Sequence, residues 1–341
     1  LCLKEIATTG KSAYIVQQDA TCSGFQHMAA LTRDRDLGSL VNLTAGTRSD
    51  LYMAATDFLC EQGTAVGVFL ADHDRGVVRA ELAKPTVMLT GYASTAEALA
   101  LSYLGYDGKA EYMDKSGEPV IATRFKDVKQ ALKQGADVNF NPDSIMAEWL
   151  NGRTGEKAMY AALTFAREFQ EALFTLCPAV KELISSIKGA ALSHFNRHGT
   201  TFAWVTPLDL YIELSPWKVM EDTHTVSFQS GGVRKSMKVL SLKLDQMGGA
   251  AGALPNLIHS LDACLVHMVN LARVGLGMPW ADIHDSFGST VGDVKRTVEL
   301  VNDAFVEVHT KFEINDVLRL HNRPILGKGD LCLSELEQIV F

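Results

Sequence analysis

The chain has 341 residues, 47% of them apolar and 21% charged, which suits a folded globular protein and excludes a disordered or fibrous one. No uninterrupted run of about 18 apolar residues occurs, so no membrane span is expected, and the first residues lack the basic start and apolar stretch of a secretory signal, so secretion is not expected. The net charge of −8 and pI near 5.7 weigh against nucleic-acid binding, although that sum does not report a local basic groove, and carboxylates that hold metal add to it.

In chain order, "SAYIVQQDA" is apolar and β-branched and predicts a strand ending at Asp19, after which "GFQHMAALTRD" predicts a helix. "SDLYMAATDFLCEQG" predicts a second helix capped by Ser49 and closed by its glycine. "VVRAELAKPTVMLTGYASTAEALALSYLG" is helical in pattern, with Pro85 as a kink or a start. Residues 106–145 are polar and Gly-rich and predict irregular structure. A long amphipathic helix pair broken at Pro178 follows, then "TFAWVTPLDLYIEL" and "TVSFQSGGVRKSMKVLSLKL" as hairpin strands. "LPNLIHSLDACLVHMVNLARVG" predicts a helix with Pro255 near its first turn and Gly275 at its end. "WADIHDSFGSTV" predicts a tight hairpin, and "DVKRTVELVNDAFVEVHTKF" a last helix. Strands near both ends with helices between them predict an α+β protein, and the length gives a soft prior of two domains.

Six cysteines, at 2, 22, 60, 177, 264 and 332, show no CxxC spacing, so free thiols are expected rather than a zinc or redox site. Cys22 has no evident His–Asp partner set and reads as a small buried residue. Asp285, at the tip of the "IHDSFG" hairpin, is either a turn residue or half of a metal site. In the second case the other half is Asp19, at the end of the first strand. Magnesium binds through one or two carboxylates plus substrate phosphates, and two such ions about 4 Å apart serve in-line phosphoryl transfer. Lys84, Met88 and Tyr92 recur every four residues and so share one helix face.

"DATCSGFQHMAALTRD", with Asp19, Cys22, Ser23, Gly24, Gln26, His27, Arg33 and Asp34, resembles motif A of the single-subunit, phage-type RNA polymerases that also serve mitochondria and chloroplasts. "KPTVMLTGYAS" is similar to that family's motif B helix, "IHDSFG" to its motif C, and "PNLIHSLDACLV", with His259 and Asp262, to the helix just before motif C. "WVTP" at 204–207 and the closing "KGDLCLSELEQIVF" match smaller signatures. The resemblance implies a right-hand polymerase: a palm with a small antiparallel sheet over 1–35 and 259–341, and mostly helical fingers over 36–258. It also implies that the thumb and a large N-terminal region are absent from this chain. The chain would then be a truncated piece, or one subunit of a split enzyme whose second chain supplies promoter binding and the thumb.

The same resemblance implies that Asp19, Asp285 and the backbone carbonyl of Ala20 hold two Mg²⁺ ions. It gives Lys84 to the incoming triphosphate and its leaving group, Tyr92 to the nucleotide pocket, and His259 with Tyr92 to the ribose. Related DNA polymerases carry a glutamate five residues after the motif A aspartate, where it excludes a 2′-hydroxyl; here that residue is Gly24. His284 would touch the primer-end backbone, its side chain alternating to the strand face opposite Asp285. One departure concerns Arg79. The family's arginine lies four residues before the lysine, whereas Arg79 lies five before Lys84, which on an α-helix turns it by about 100°. The expected partners are a DNA template, an RNA product and NTPs, with no membrane. The expected setting is the cytoplasm of a phage-infected bacterium or, alternatively, the mitochondrial matrix or plastid. Two readings stay open beside DNA-directed RNA polymerase: a template-directed DNA polymerase and a non-catalytic nucleic-acid-binding remnant.

Overall fold

The computed structural model describes residues 14–44, 46–105, 143–227 and 234–336, with short pieces at 5, 8, 12, 110–113, 119–122 and 128–129. The described residues form a mixed, helix-rich fold with small antiparallel sheets. Strand β1 (Ile15–Asp19) leads into α1 (Ser23–Thr32), whose residues from Phe25 onward are all buried. Helices α2 (Arg35–Leu40), α3 (Leu51–Gln62) and α4 (Ala65–Ala71) follow. A continuous helical run comes next: α5 (Arg75–Val78), a π-turn over Arg79–Ala83, and α6 (Lys84–Gly91). Then come α7 (Ala96–Tyr103), the short strands β2 (Ala110–Met113) and β3 (Pro119–Ala122), and α8 (Ile145–Leu150). The long helices α9 (Gly155–Leu176) and α10 (Pro178–His198) are broken at Pro178, as their sequence predicts, because proline suits a first turn and not an interior.

Two antiparallel pairs come next, β4 (Phe202–Val205) with β5 (Tyr211–Leu214), and β6 (Trp217–Ser227) with β7 (Arg234–Leu244). The turn of the second pair lies outside the described residues. The chain continues with α11 (Gln246–Leu276), β8 (Ser286–Thr290), α12 (Val294–Lys311) and α13 (Ile314–Leu320). The last residues of the closing signature, 337–341, also lie outside the described residues.

Several expectations need correction. The cap of α3 is Asp50, not Ser49; its Oδ1 accepts from the backbone N–H groups of Tyr52 and Met53 at 3.0 and 3.4 Å. Within 106–145, expected to be irregular, β2 and β3 pair antiparallel. Pro85 does stand in the first turn of α6, as expected of a start, but helical structure already runs from Arg75 through the π-turn before it. Pro255 lies well inside α11, which starts at Gln246 under an Asp245 cap and ends at Gly277 (φ 65°) rather than Gly275. The expected boundary between 258 and 259 therefore falls within one unbroken helix.

The core is arranged around α1 and α11. Helix α11 packs against α1, α10 and α12, and α1 also meets α6 and α10. Gly91 allows the α1–α6 approach, because a Cβ there would sit 2.6 Å from the Phe25 ring. Among the described residues α11 is the one helix that passes for a membrane span by length and composition. It is instead taken up by its neighbours, and it buries Arg273 in an ion pair with Asp282.

Candidate active site

The two ends of the chain meet in the β1–β8 ladder, whose register pairs Asp19 with Ser286 and Ile15 with Thr290. Opposed residues in an antiparallel pair have Cα atoms about 4.5–5.5 Å apart, and Asp285 directly precedes the residue facing Asp19. Ahead of β8 the chain forms a two-residue hairpin: Ile283 and Ser286 exchange backbone hydrogen bonds at 2.9 and 3.0 Å, leaving His284 and Asp285 at the tip. His284 adopts a left-handed conformation (φ 54°). It is thus a turn residue, not a strand residue, and the expected alternation does not apply: His284 and Asp285 line the same cavity.

This hairpin is held from three sides. Gln17 Nε2 donates to the Ala281 carbonyl at 2.8 Å, and Ser286 Oγ donates to Gln17 Oε1 at 3.0 Å. Asp282 Oδ1 accepts from the Gly288 N–H at 3.0 Å and from Arg273 Nη1 at 2.7 Å. A Cβ at Gly288 would lie 2.2 Å from the Ala281 carbonyl oxygen, so the Phe-Gly pair of the motif is dictated by close backbone approach.

A cavity of about 880 Å³ opens above these strand ends. Asp19, Ala20, Gly24, Lys84, Tyr92, His259, His284 and Asp285 all line it. The Tyr92 and His259 rings meet edge to face, with centroids 5.1 Å apart. A Cβ at Gly24 would meet only Ile258 Cγ2, at 3.9 Å, so packing does not demand a glycine there. Lys84 is exposed, and among the described residues no carboxylate pairs with it.

Arg79 is the one predicted residue that does not line the cavity. Its Nε donates to Asp50 Oδ2 at 2.5 Å, and its guanidinium lies over the Tyr52 ring, 5.0 Å from the centroid. Its one-residue offset is nevertheless absorbed. The Lys84 N–H bonds to the Arg79 carbonyl, an i→i+5 bond, so the two residues stack one turn apart as four-spaced residues do on an α-helix. The 100° displacement expected for an α-helix does not arise.

The cavity also collects residues to which the sequence assigned no role, among them Asp262, His267, Asn270, Trp280 and Asp282. Asp262 lies one turn beyond His259 on α11, a spacing visible in the sequence; its partners come from distant segments and were not. Burial pushes the Asp285 carboxyl above its ordinary value, Asp262 and Asp19 push it further, and a Ser23 hydrogen bond opposes them. Burial also acts to raise Asp262, but His27 above all, with His259 and Ser23, holds it below the ordinary range. Burial, then Asp262, raises the Tyr92 hydroxyl. The Cys22 thiol is pushed up to about 11, chiefly by burial, which keeps it protonated and unreactive.

Among the described residues no group of three or more His, Cys, Asp or Glu side chains is arranged to hold a metal. Two carboxylates and a carbonyl do fit magnesium, which completes its shell with water and substrate phosphates. The Ala20 carbonyl accepts one hydrogen bond, from Cys22 at 3.1 Å, and keeps a second lone pair. Asp285, crowded by two other acids, is a carboxylate that a cation would relieve.

The sequence profile of the DNA-dependent RNA polymerase family matches residues 4–325. A DNA-directed RNA polymerase of Pseudomonas phage phiKMV is 26% identical over 318 residues, covering 88% of this chain and 33% of the relative. The mitochondrial DNA-directed RNA polymerase of Schizosaccharomyces pombe is 25% identical over 312 residues, covering 86% of this chain and 23% of the relative. That of Mus musculus is 25% identical over 335 residues, covering 93% and 24%. The chain thus spans a quarter to a third of the length of these relatives. With the family profile matching nearly its whole length, it belongs to the DNA-dependent RNA polymerase family, of the kind that phages and mitochondria carry.

Proposed function

We propose that this chain is the catalytic region of a DNA-directed RNA polymerase, transferring nucleotides from NTPs to an RNA 3′-end on a DNA template. The observation that carries this is the meeting of Asp19 and Asp285 at adjacent strand ends, in one cavity with Lys84, Tyr92 and His259. In this reading β1, α1, β8 and the end of α11 are the palm, and the helical middle is the fingers. Asp19, Asp285 and the Ala20 carbonyl would hold two Mg²⁺. Bound there, the ions supply charge neutralisation for the attacking and leaving oxygens.

The chain's own residues do the rest. Lys84, on an exposed helix face and without an ion-pair partner among the described residues, sets a point charge against the triphosphate and hands a proton to the departing pyrophosphate. Tyr92 and His259, fixed against each other, present polar edges to the ribose. Gly24 leaves the space a 2′-hydroxyl fills, and His284 faces the primer end from the hairpin tip. Arg79, stacked one π-turn behind Lys84, joins the phosphates once it exchanges Asp50 for them. Further protein segments, on this polypeptide or another, would complete template and promoter binding. The phage and mitochondrial relatives support the infected-bacterium and mitochondrial settings named above.

Primer extension on a DNA template, with the complete enzyme, tests this. Wild type should extend with NTPs in preference to dNTPs, and Asp285→Asn should abolish extension. Preferred dNTP use would favour a DNA polymerase. No extension by wild type would favour a binding remnant.

A further inference from the structure

A second set of groups lies behind the metal acids, and the reading above leaves it idle. His27 is fully buried on α1 and bridges two elements far apart in sequence. Its Nε2 lies 2.9 Å from Asp262 Oδ1, and its Nδ1 lies 2.8 Å from His309 Nε2, on α12. The other Asp262 oxygen, Oδ2, accepts from Ser23 Oγ at 3.4 Å. Ser23 is also near enough to Asp285 to act on its carboxyl, and both residues line the same cavity. A line of contacts therefore runs from the core to the cavity: His309, His27, Asp262, Ser23, Asp285.

The line has a direction. Burial, with His27 and Arg33 nearby, holds the His309 ring neutral, so it carries one ring hydrogen. Its Nδ1 is buried with no partner among the described residues. A buried nitrogen lone pair is easier to leave unpaired than a buried N–H, which puts the hydrogen on Nε2, donating to His27 Nδ1. His27 then accepts at Nδ1 and donates from Nε2 to Asp262. The Phe305 ring, 5.1 Å from the His27 ring and 4.5 Å from the His309 ring, packs against both imidazoles. Both Asp262 oxygens are engaged, so this acid is tethered while it lines the same cavity as Asp19 and Asp285.

We propose that Asp262, held by His27 and Ser23, is a positioning residue: a third, non-ligating carboxylate that raises divalent-cation affinity at Asp19 and Asp285 and steers the Ser23 hydroxyl. The inference rests on the metal reading of those two acids. Ser23 has one hydroxyl hydrogen and faces two carboxylates. With the metal acids empty, that hydrogen is shared between Asp262 and Asp285. When a cation occupies the Asp285 lone pairs, the hydrogen turns to Asp262, which stays charged and adds its field to the site. His27 stops Asp262 from swinging in as a ligand, and its imidazole is fixed in turn by His309. The arrangement gives the cations a favourable field and leaves their remaining positions to water and phosphate.

The test is Mn²⁺ binding followed by electron paramagnetic resonance, on the complete enzyme without nucleotide, using Asp262→Asn, Ser23→Ala and the control Asp285→Asn. Asp262→Asn keeps the shape and the bond from His27 to Oδ1 but removes the charge, and its amide nitrogen donates to Ser23 Oγ in place of accepting from it. It should weaken Mn²⁺ binding about tenfold, as expected for a divalent ion near one lost charge. Ser23→Ala should weaken it about threefold, the loss of one hydrogen bond. In extension assays, the Mg²⁺ concentration for half-maximal rate should rise in step while the KM for NTP at saturating Mg²⁺ stays near wild type, a split that general loosening of the fold does not give. If Asp285→Asn abolishes tight Mn²⁺ binding but Asp262→Asn and Ser23→Ala bind like wild type, the inference is overturned and the metal reading stands. If Asp285→Asn binds like wild type, the metal reading fails and takes the inference with it. Should Asp262→Asn not fold, Ser23→Ala at the helix start decides alone, and unchanged affinity overturns the proposal.

Discussion

Replacing Arg273 by methionine should destabilise the chain through the hairpin that carries Asp285. The Arg273 and Asp282 side chains are 0% and 6% exposed and meet at 2.7 Å. Removing one partner of such a pair strands a buried charge, at about 3–5 kcal/mol. The pair itself is incompletely satisfied: Arg273 Nε and Nη2, and Asp282 Oδ2, have no partner among the described residues. Its net worth is therefore small, and removing both charges should cost less than removing one. We expect Arg273→Met to lose about 3–5 kcal/mol, and the double variant Arg273→Met/Asp282→Asn to recover about 1–2 kcal/mol of that loss. Urea unfolding followed by circular dichroism reads the cycle, with equal slopes required for the comparison. A loss under about 1 kcal/mol for Arg273→Met, or additive single effects, would refute the reasoning.

Gly24→Glu should shift preference from NTPs toward dNTPs by about tenfold or more, because its side chain enters the open cavity rather than the core. Competitive extension measures this, and an unchanged preference counts against the ribose assignment. Gly288→Ala should cost about 1–3 kcal/mol, since its Cβ would overlap the Ala281 carbonyl; Gly24→Ala, which meets only Ile258 at 3.9 Å, is the near-neutral control. Thermal melts that fail to separate the two would contradict the packing. His309, whose ring is held well below the ordinary imidazole range by burial, His27 and Arg33, resists protonation in the folded state only. Stability should fall as pH drops below about 6.5, by at most about 1.4 kcal/mol per pH unit from this one group. The loss should continue down to the lowered folded-state value, and His309→Gln should flatten that part of the profile.

The meeting of Asp19 and Asp285 was legible because each lies in a contiguous motif, "DATCSG" or "IHDSFG", and because the β-branched start of β1 marks a strand that ends at Asp19. The break at Pro178 was legible for the same local reason. What escaped depends on segments that meet only in the fold. The π-turn has no composition of its own: "RAELA" is an ordinary helical string, and only the Lys84 N–H reaching Arg79 reveals the extra residue. The start of α11 was missed because "QMGGAAGA" is small and unpatterned, and helix propensity alone does not predict it; Asp245 and the packing against α10 hold it. His27 and His309 are 282 residues apart, so no spacing rule pairs them. The net charge of −8 weighs against the nucleic-acid partners proposed above without deciding the matter, since a bulk sum says nothing of where charges lie.

The β1–β8 ladder has a consequence for biogenesis. Gln17 and Ala281 touch although 264 residues separate them. Closing so long a loop costs about 3 kcal/mol more entropy than closing one of about ten residues. A nascent chain can bury α9 against α7 early, but its two acids remain strangers until β8 has left the ribosome. Any polypeptide stopped short of Thr290 then lacks the completed β1–β8 ladder that brings Asp19 and Asp285 together.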